Sequence, residues 1–203
     1  MLFLGALLFT SAMLTDCGPA VSPETTQAII QVESGGNPLA IGDNTLKRSF
    51  SPKTTAEAVE LASRLINQGH NIDIGLMQIN SCHIRPMNLT LQELFDPCHN
   101  IRIGTTILAE FYRQHKTSDP VQSLFRALSA YNTGQAWKGA GYVNKILEAA
   151  GARYRISLPR EFVVRSEDKL SPQAPRTQTR GATAASSPLF FDNLSSSMQA
   201  DEL

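Results

Sequence analysis

The sequence predicts a mostly α-helical domain with a small β element inserted in its middle, followed by a disordered C-terminal tail. Three observations carry that prediction. Apolar residues recur at three- and four-residue spacing in several stretches, each opened by a capping residue or closed by a glycine. The stretch 71–80 instead begins by alternating apolar and polar residues, the period of a strand. Of the 203 residues 42% are hydrophobic and 18% charged, enough apolar mass for a packed core.

The chain opens with an apolar run, Leu2 to Leu14. Its length suits the h-region of an export signal, about 7–15 residues, and falls short of the roughly 20 needed to span a membrane. Cleavage after Ala12 would leave Thr10 and Ala12 as the small flanking residues, although no Lys or Arg precedes the run. The alternative is a buried N-terminal helix. Residues 1–16 are therefore read as a signal-like leader, 17–157 as the folded domain and 158–203 as a low-complexity tail.

Ser22 and Pro23 read as the cap and first residue of a helix, with Ala28, Ile29 and Val32 on its apolar face. Gly35, Gly36 and Pro38 cannot continue it, which puts Glu33 at its C-terminal end. Thr54 and Glu57 have capping-box spacing, ahead of Ala58, Leu61, Ala62 and Leu65; Gly69 ends that helix. Ile72, Ile74 and Leu76 alternate and mark a short strand or hairpin. Thr90 and Glu93 form a second capping box. Asp96-Pro97 opens a long helix carrying Ile101, Gly104, Leu108 and Phe111. Asp119-Pro120 opens another, with Leu124, Ala127, Leu128 and Tyr131, which breaks at Asn132-Thr133-Gly134. A last helix covers about 142–149 and stops at Gly151. Beyond Leu158 the composition shifts, and 166–203 is rich in Ser, Pro, Thr, Gln and Ala, with Leu189, Phe190 and Phe191 its one apolar cluster.

Charge and motif content exclude several functions. Basic and acidic residues balance at 18 each, so no field of one sign suits a general nucleic-acid binder. His70, His83, His99 and His115 show no metal-ligand spacing, and neither a nucleophile elbow nor a phosphate-binding glycine loop is present. No metal and no cofactor is expected. Cys17, Cys82 and Cys98 permit one disulfide and one left-over thiol, and no close C-x-x-C pair suggests zinc. Asp16 before Cys17 argues against lipidation.

The chemistry starts from Glu33. A helix C-terminus disfavours negative charge, and burial against Ile29, Ile30 and Val32 would disfavour it further. Both raise the carboxyl pKa. A carboxylic acid kept protonated near neutral pH is what glycosidic cleavage requires, since the departing sugar oxygen must receive a proton. Gly35 and Gly36 let the backbone approach a bulky ligand. Gln78 and Asn80 set polar groups among apolar ones, and such groups need partners when buried. Tyr131 and Asn132 end a helix.

Three segments together, Glu-Ser-Gly-Gly-Asn-Pro (33–38), Gly-Leu-Met-Gln-Ile-Asn (75–80) and Ala-Tyr-Asn-Thr-Gly (130–134), resemble the ordered motifs of the soluble lytic transglycosylases, which have the lysozyme-like fold. The resemblance spans about 21–149. A narrower similarity is to the transglycosylases of type IV secretion and conjugation systems, carried by Cys17, Pro19 and Val21 and by Leu-Phe-Asp-Pro-Cys with Asn-Ile within 94–101. It implies Cys17–Cys98 as the disulfide in preference to Cys82–Cys98. It also implies Glu33 as catalytic acid and base, Ser34 as the residue that orients it, and Gln78 and Asn80 as groups lining a glycan cleft. Tyr131 resembles the tyrosine that hydrogen-bonds the catalytic carboxylate, and Asn132 is a further substrate contact. Met77 is expected to pack beneath the site.

The resemblance implies cleavage of the β-1,4 bond between N-acetylmuramic acid and N-acetylglucosamine in peptidoglycan, closing a 1,6-anhydro ring. It implies peptidoglycan as partner, a type IV secretion or conjugation apparatus as context, and the periplasm of a Gram-negative bacterium as location. Two rivals stand beside it. A hydrolase needs a second carboxylate about 5–9.5 Å from the first, for which Asp43 and Asp73 are candidates, the former reading by default as a turn residue and the latter able to face solvent. A non-catalytic glycan-binding assembly subunit would not need Glu33.

Overall fold

The computed structural model describes residues 9–157 and 163–166. The described residues form a mostly helical fold with a small antiparallel sheet, as the sequence predicts. Helix α1 (Ser11–Cys17) runs from the expected leader into the expected domain; Thr10 caps it, and Leu14 and Cys17 are buried. Residues 1–8 of the leader lie outside the described residues.

Helix α2 (Pro23–Ser34) is capped by the Ser22 hydroxyl and ends on Gly35, whose φ of 61° is left-handed. Helix α3 (Thr55–Asn67) is capped by Thr54. Its Glu57 carboxylate accepts from the N–H of Lys53, one residue upstream of the reciprocal partner a capping box requires. At α4 (Leu91–Phe95) the Thr90–Glu93 box is complete. Asp96 and Asp119 cap α5 (Pro97–Gln114) and α6 (Pro120–Thr133), each with proline in its first turn. Helix α7 (Ala140–Ala149) packs against α2 and α6.

The β element is larger than its sequence signal. The hairpin of β3 (Ile72–Ile74) and β4 (Ile79–Asn80) is joined by a second hairpin, β1 (Ile41–Asp43) and β2 (Arg48–Phe50), in the order β2-β1-β3-β4. Ile41 opposes Ile74, and Ile74 opposes Ile79, so one face of the sheet is a buried isoleucine patch. The facing positions Gly42, Asp73 and Asn80 align across three strands. That alternation places Asp73 on the opposite face from the core.

The buried core runs from Ile29 and Ile30 on α2, through Leu76 and Met77, to Phe125 and Leu128 on α6. A Cys17–Cys98 disulfide ties the end of α1 to the first turn of α5, and Cys82 is free and exposed. Past α7, β5 (Tyr154–Ser157), at the end of the expected domain, pairs with β6 (Val163–Ser166), which lies in the stretch expected to be tail. Residues 158–162 and 167–203, including the Leu189–Phe191 cluster, lie outside the described residues.

Candidate active site

Glu33 sits in the last turn of α2, where the left-handed Gly35 and Gly36 turn the chain away and leave the carboxyl beside a cleft of about 480 Å³. Small-molecule sites typically hold about 300–1,000 Å³. One side of the cleft comes from the sheet and its connections: Asn44, Asp73, Gln78, Asn80, Cys82 and His83. The other comes from α5 and α6, with Ile107, Phe111, Tyr131 and Asn132. Glu33, Gln78, Asn80, Tyr131 and Asn132, singled out in the sequence, are thus brought to one groove.

The second segment is held by a residue the sequence reading passed over. Asn100, buried on α5, donates to the carbonyls of Leu94 (2.7 Å) and Ile74 (3.0 Å) and accepts from the Met77 N–H (2.8 Å). Both its amide hydrogens and its oxygen are engaged, which fixes the turn between β3 and β4. Gly75 enters that turn at φ 78°, and an added Cβ there would overlap the Asn100 amide and stand 2.5 Å from the Leu94 carbonyl. Met77 packs beneath the site, as expected, over Gly104. Gln78 adopts φ 48°, uncommon for a residue with a side chain, and its amide donates to the carbonyls of Gly75 and Ala40. Gln78 therefore lines the cleft while its N–H groups brace the loop.

Two expectations are corrected by the geometry. The tyrosine that bonds Glu33 is Tyr142, whose hydroxyl donates to Glu33 Oε1 at 2.6 Å. Tyr131, the sequence candidate, donates to the Met77 carbonyl at 2.8 Å. Tyr131 lies on α6, within reach of the β3–β4 turn, whereas α7 packs against α2 and delivers Tyr142 to the end of that helix. Ser34 does not orient Glu33. Its hydroxyl donates to the Ile30 carbonyl one turn back and accepts from the Gly36 N–H, so it shapes the helix end. Asn132 is exposed at the cleft and its side chain has no hydrogen-bond partner among the described residues, which leaves its amide available to a ligand.

Burial is the largest influence on Glu33 and raises its pKa; the hydrogen bond from Tyr142 lowers it, nearby Asp73 raises it and Lys145 lowers it. The outcome is a carboxyl pushed up to about 7. Burial, and then the Glu33 charge, holds both Tyr131 and Tyr142 well above the ordinary tyrosine range, so both remain hydroxyl donors. Burial followed by the Asp73 charge also raises the Cys82 thiol, which keeps it protonated and poorly nucleophilic.

The two candidate second carboxylates separate cleanly. Asp43 is buried in the β1–β2 turn, accepting from the N–H groups of Thr45 and Leu46 and pairing with His70 at 2.8 Å. Burial raises its pKa, but those hydrogen bonds outweigh it and hold the carboxyl below its usual value. It is a turn residue. Asp73 lines the cleft with Glu33, and its carboxyl is raised above the usual value: burial outweighs the amide donors from Asn44 and Asn80, which lower it. Among the described residues no group of three or more His, Cys, Asp and Glu side chains is placed to hold a metal ion.

The family model described as "Transglycosylase SLT domain" matches residues 15–147. The protein named virB1 from Agrobacterium fabrum is 39% identical over 138 residues, covering 66% of this chain and 56% of that protein. The "Type IV secretion system protein virB1" of Brucella abortus is 35% identical over 144 residues, covering 66% of this chain and 60% of the relative. The "Invasion protein IagB" of Salmonella typhimurium is 29% identical over 136 residues. The chain thus spans somewhat over half the length of the two virB1 proteins. No solved structure matches.

Proposed function

Given that the chain belongs to the transglycosylase SLT family, we propose that it is a lytic transglycosylase that cleaves the β-1,4 bond between N-acetylmuramic acid and N-acetylglucosamine in peptidoglycan. The observation that carries this reading is Glu33: a carboxyl with pKa about 7, at the edge of a glycan-sized cleft, gripped by Tyr142. Near neutral pH such a group can both give and take a proton, which the reaction asks of it in turn.

Glu33 protonates the bridging oxygen as the bond to the muramic C1 carbon breaks, and the electron pair leaves with that oxygen. The muramic acetamide stabilises the positive carbon. The Glu33 carboxylate then accepts the proton of the same sugar's C6 hydroxyl, whose oxygen closes the 1,6-anhydro ring. Glu33 ends protonated as it began, and no water is consumed. The attacking hydroxyl is already part of the bound sugar, so proximity replaces a bimolecular encounter. Gln78 and Asn80 line the groove, Asn132 offers a free amide to sugar hydroxyls or acetamides, and Tyr142 positions the acid.

The virB1 relatives support the further proposal that this cleavage opens the wall locally, in the periplasm, for a type IV secretion or conjugation apparatus. One observation favours a second reading. Asp73 shares the cleft with Glu33, as a two-carboxylate hydrolase would require. Mass analysis of purified peptidoglycan digested with the protein separates the two: anhydro products are one water lighter than hydrolytic ones. Undigested glycan would overturn both in favour of a binding role.

A further inference from the structure

The connection between α6 and α7 is built to hold one side chain still. Gly134 ends α6 in the left-handed region and lines the cleft. The Ser129 hydroxyl donates to the Gln135 carbonyl at 2.6 Å and accepts from the Gly139 N–H at 2.8 Å, so both ends of the connection are pinned to one turn of α6. Ala136 is buried, and a Cβ on Gly139 would stand 2.8 Å from the Ser129 Cα. Between them Trp137 is 44% exposed. Leu46 and Met87, the other large exposed hydrophobics among the described residues, lie in the β1–β2 turn and after β4. The Arg126 guanidinium stacks on the Trp137 ring, 4.7 Å from its centroid. Arg126 Nε is out of reach of solvent and has no hydrogen-bond partner among the described residues. The guanidinium therefore lies on the inner face of the indole, and the outer face carries the exposure.

An isolated exposed apolar side chain is ordinary and needs no purpose. This one is fixed on a braced connection with a cation against one face. It also borders the groove: Arg126 lies one helical turn before Ala130, and Ala130 and Gly134 both line the cleft. A single ring is far too small for a stable protein interface, which buries about 1,200–2,000 Å². A flat indole face does match the apolar C–H face of a pyranose, and the indole N–H can donate to a sugar hydroxyl. We propose that Trp137 is a stacking platform for one sugar ring of the glycan strand just beyond the cleft, and that Arg126 is a positioning residue that holds the indole in place. The platform contributes binding alone: it touches neither the scissile bond nor a moving proton. The inference rests on the glycan-cleaving reading above and adds to it a position for the part of the strand that extends past the cleft.

Trp137 is the only tryptophan in the chain, so its fluorescence reports on this position alone. The first test titrates the full chain carrying Glu33→Gln, which leaves the sugar uncut, with a hexamer of β-1,4-linked N-acetylglucosamine. A saturable change in tryptophan emission is expected. The second test is kinetic, on solubilised glycan strands, with each variant checked for its melting temperature. Trp137→Ala is expected to raise KM on the order of 10-fold with kcat unchanged, the mark of lost uniform binding. Trp137→Phe, which keeps an aromatic face, should recover most of that loss. Arg126→Met should raise KM in the native background and change nothing further beside Trp137→Ala, since it acts only through the indole. Should Trp137→Ala fail to fold, the titration decides. Flat emission throughout the titration, an unchanged KM in Trp137→Ala, or a loss in kcat in place of KM would overturn the inference. An unmutated chain that leaves peptidoglycan intact would instead overturn the glycan-cleaving reading itself.

Discussion

Tyr142 on α7 donates a 2.6 Å hydrogen bond to Glu33 at the end of α2, joining residues 109 apart in sequence at the edge of the cleft. This bond opposes the burial that raises the Glu33 pKa, because it favours the carboxylate. Tyr142→Phe removes it and keeps the ring. The basic limb of the kcat/KM profile should then move up by about one pH unit, the equivalent of a hydrogen bond to a charged group. A profile that stays in place would show that the bond does not tune the acid.

Glu33 also links stability to pH. Its folded pKa, about 7, lies above the ordinary value of 4.5, so the folded state prefers the protonated acid. The contribution is complete below about 4.5 and is lost as pH rises through 7. The displacement corresponds to about 3 kcal/mol for so buried a group. Glu33→Gln, which cannot ionise, should melt higher than the native chain at pH 8 and close to it at pH 4. Equal melting temperatures at both would remove the burial argument.

The Cys17–Cys98 bond closes a separation of 81 residues. Chain-entropy reasoning gives it about 4–5 kcal/mol as an upper value. Reduction should therefore lower Tm by roughly 10 °C in a domain of this size, followed by calorimetry with and without reductant. An unchanged Tm after complete reduction would contradict this.

Gly75 has both a left-handed φ and no room for a Cβ. Gly75→Ala should displace the Asn100 amide and cost about 1–3 kcal/mol. Denaturant titration measures the loss, and a variant as stable as the native chain would show that the turn yields.

Much of the helical frame was legible because its signals are local. Ser22, Thr90, Asp96 and Asp119 each cap where their side chains suggest, and Gly35 and Gly134 stop helices by taking left-handed conformations. Glu33 was legible for the same reason, since helix end and acid lie side by side in the chain. The strands β1 and β2 were not, as three residues each are too few to show a period, and pairing with β3 is what fixes them. Tyr142 was hidden in the apolar stripe of α7, where a buried tyrosine reads as core. Its partner, like those of Asn100, is chosen by packing between distant elements, which no local spacing records.

The most direct measurement is glycan cleavage by Glu33→Gln, a substitution that keeps an acceptor for Tyr142 and removes the proton. With the fold verified by its melting transition, release of anhydro-muropeptides from purified peptidoglycan should fall to background. Cleavage surviving at near the native rate would contradict the assignment of Glu33 as the acid.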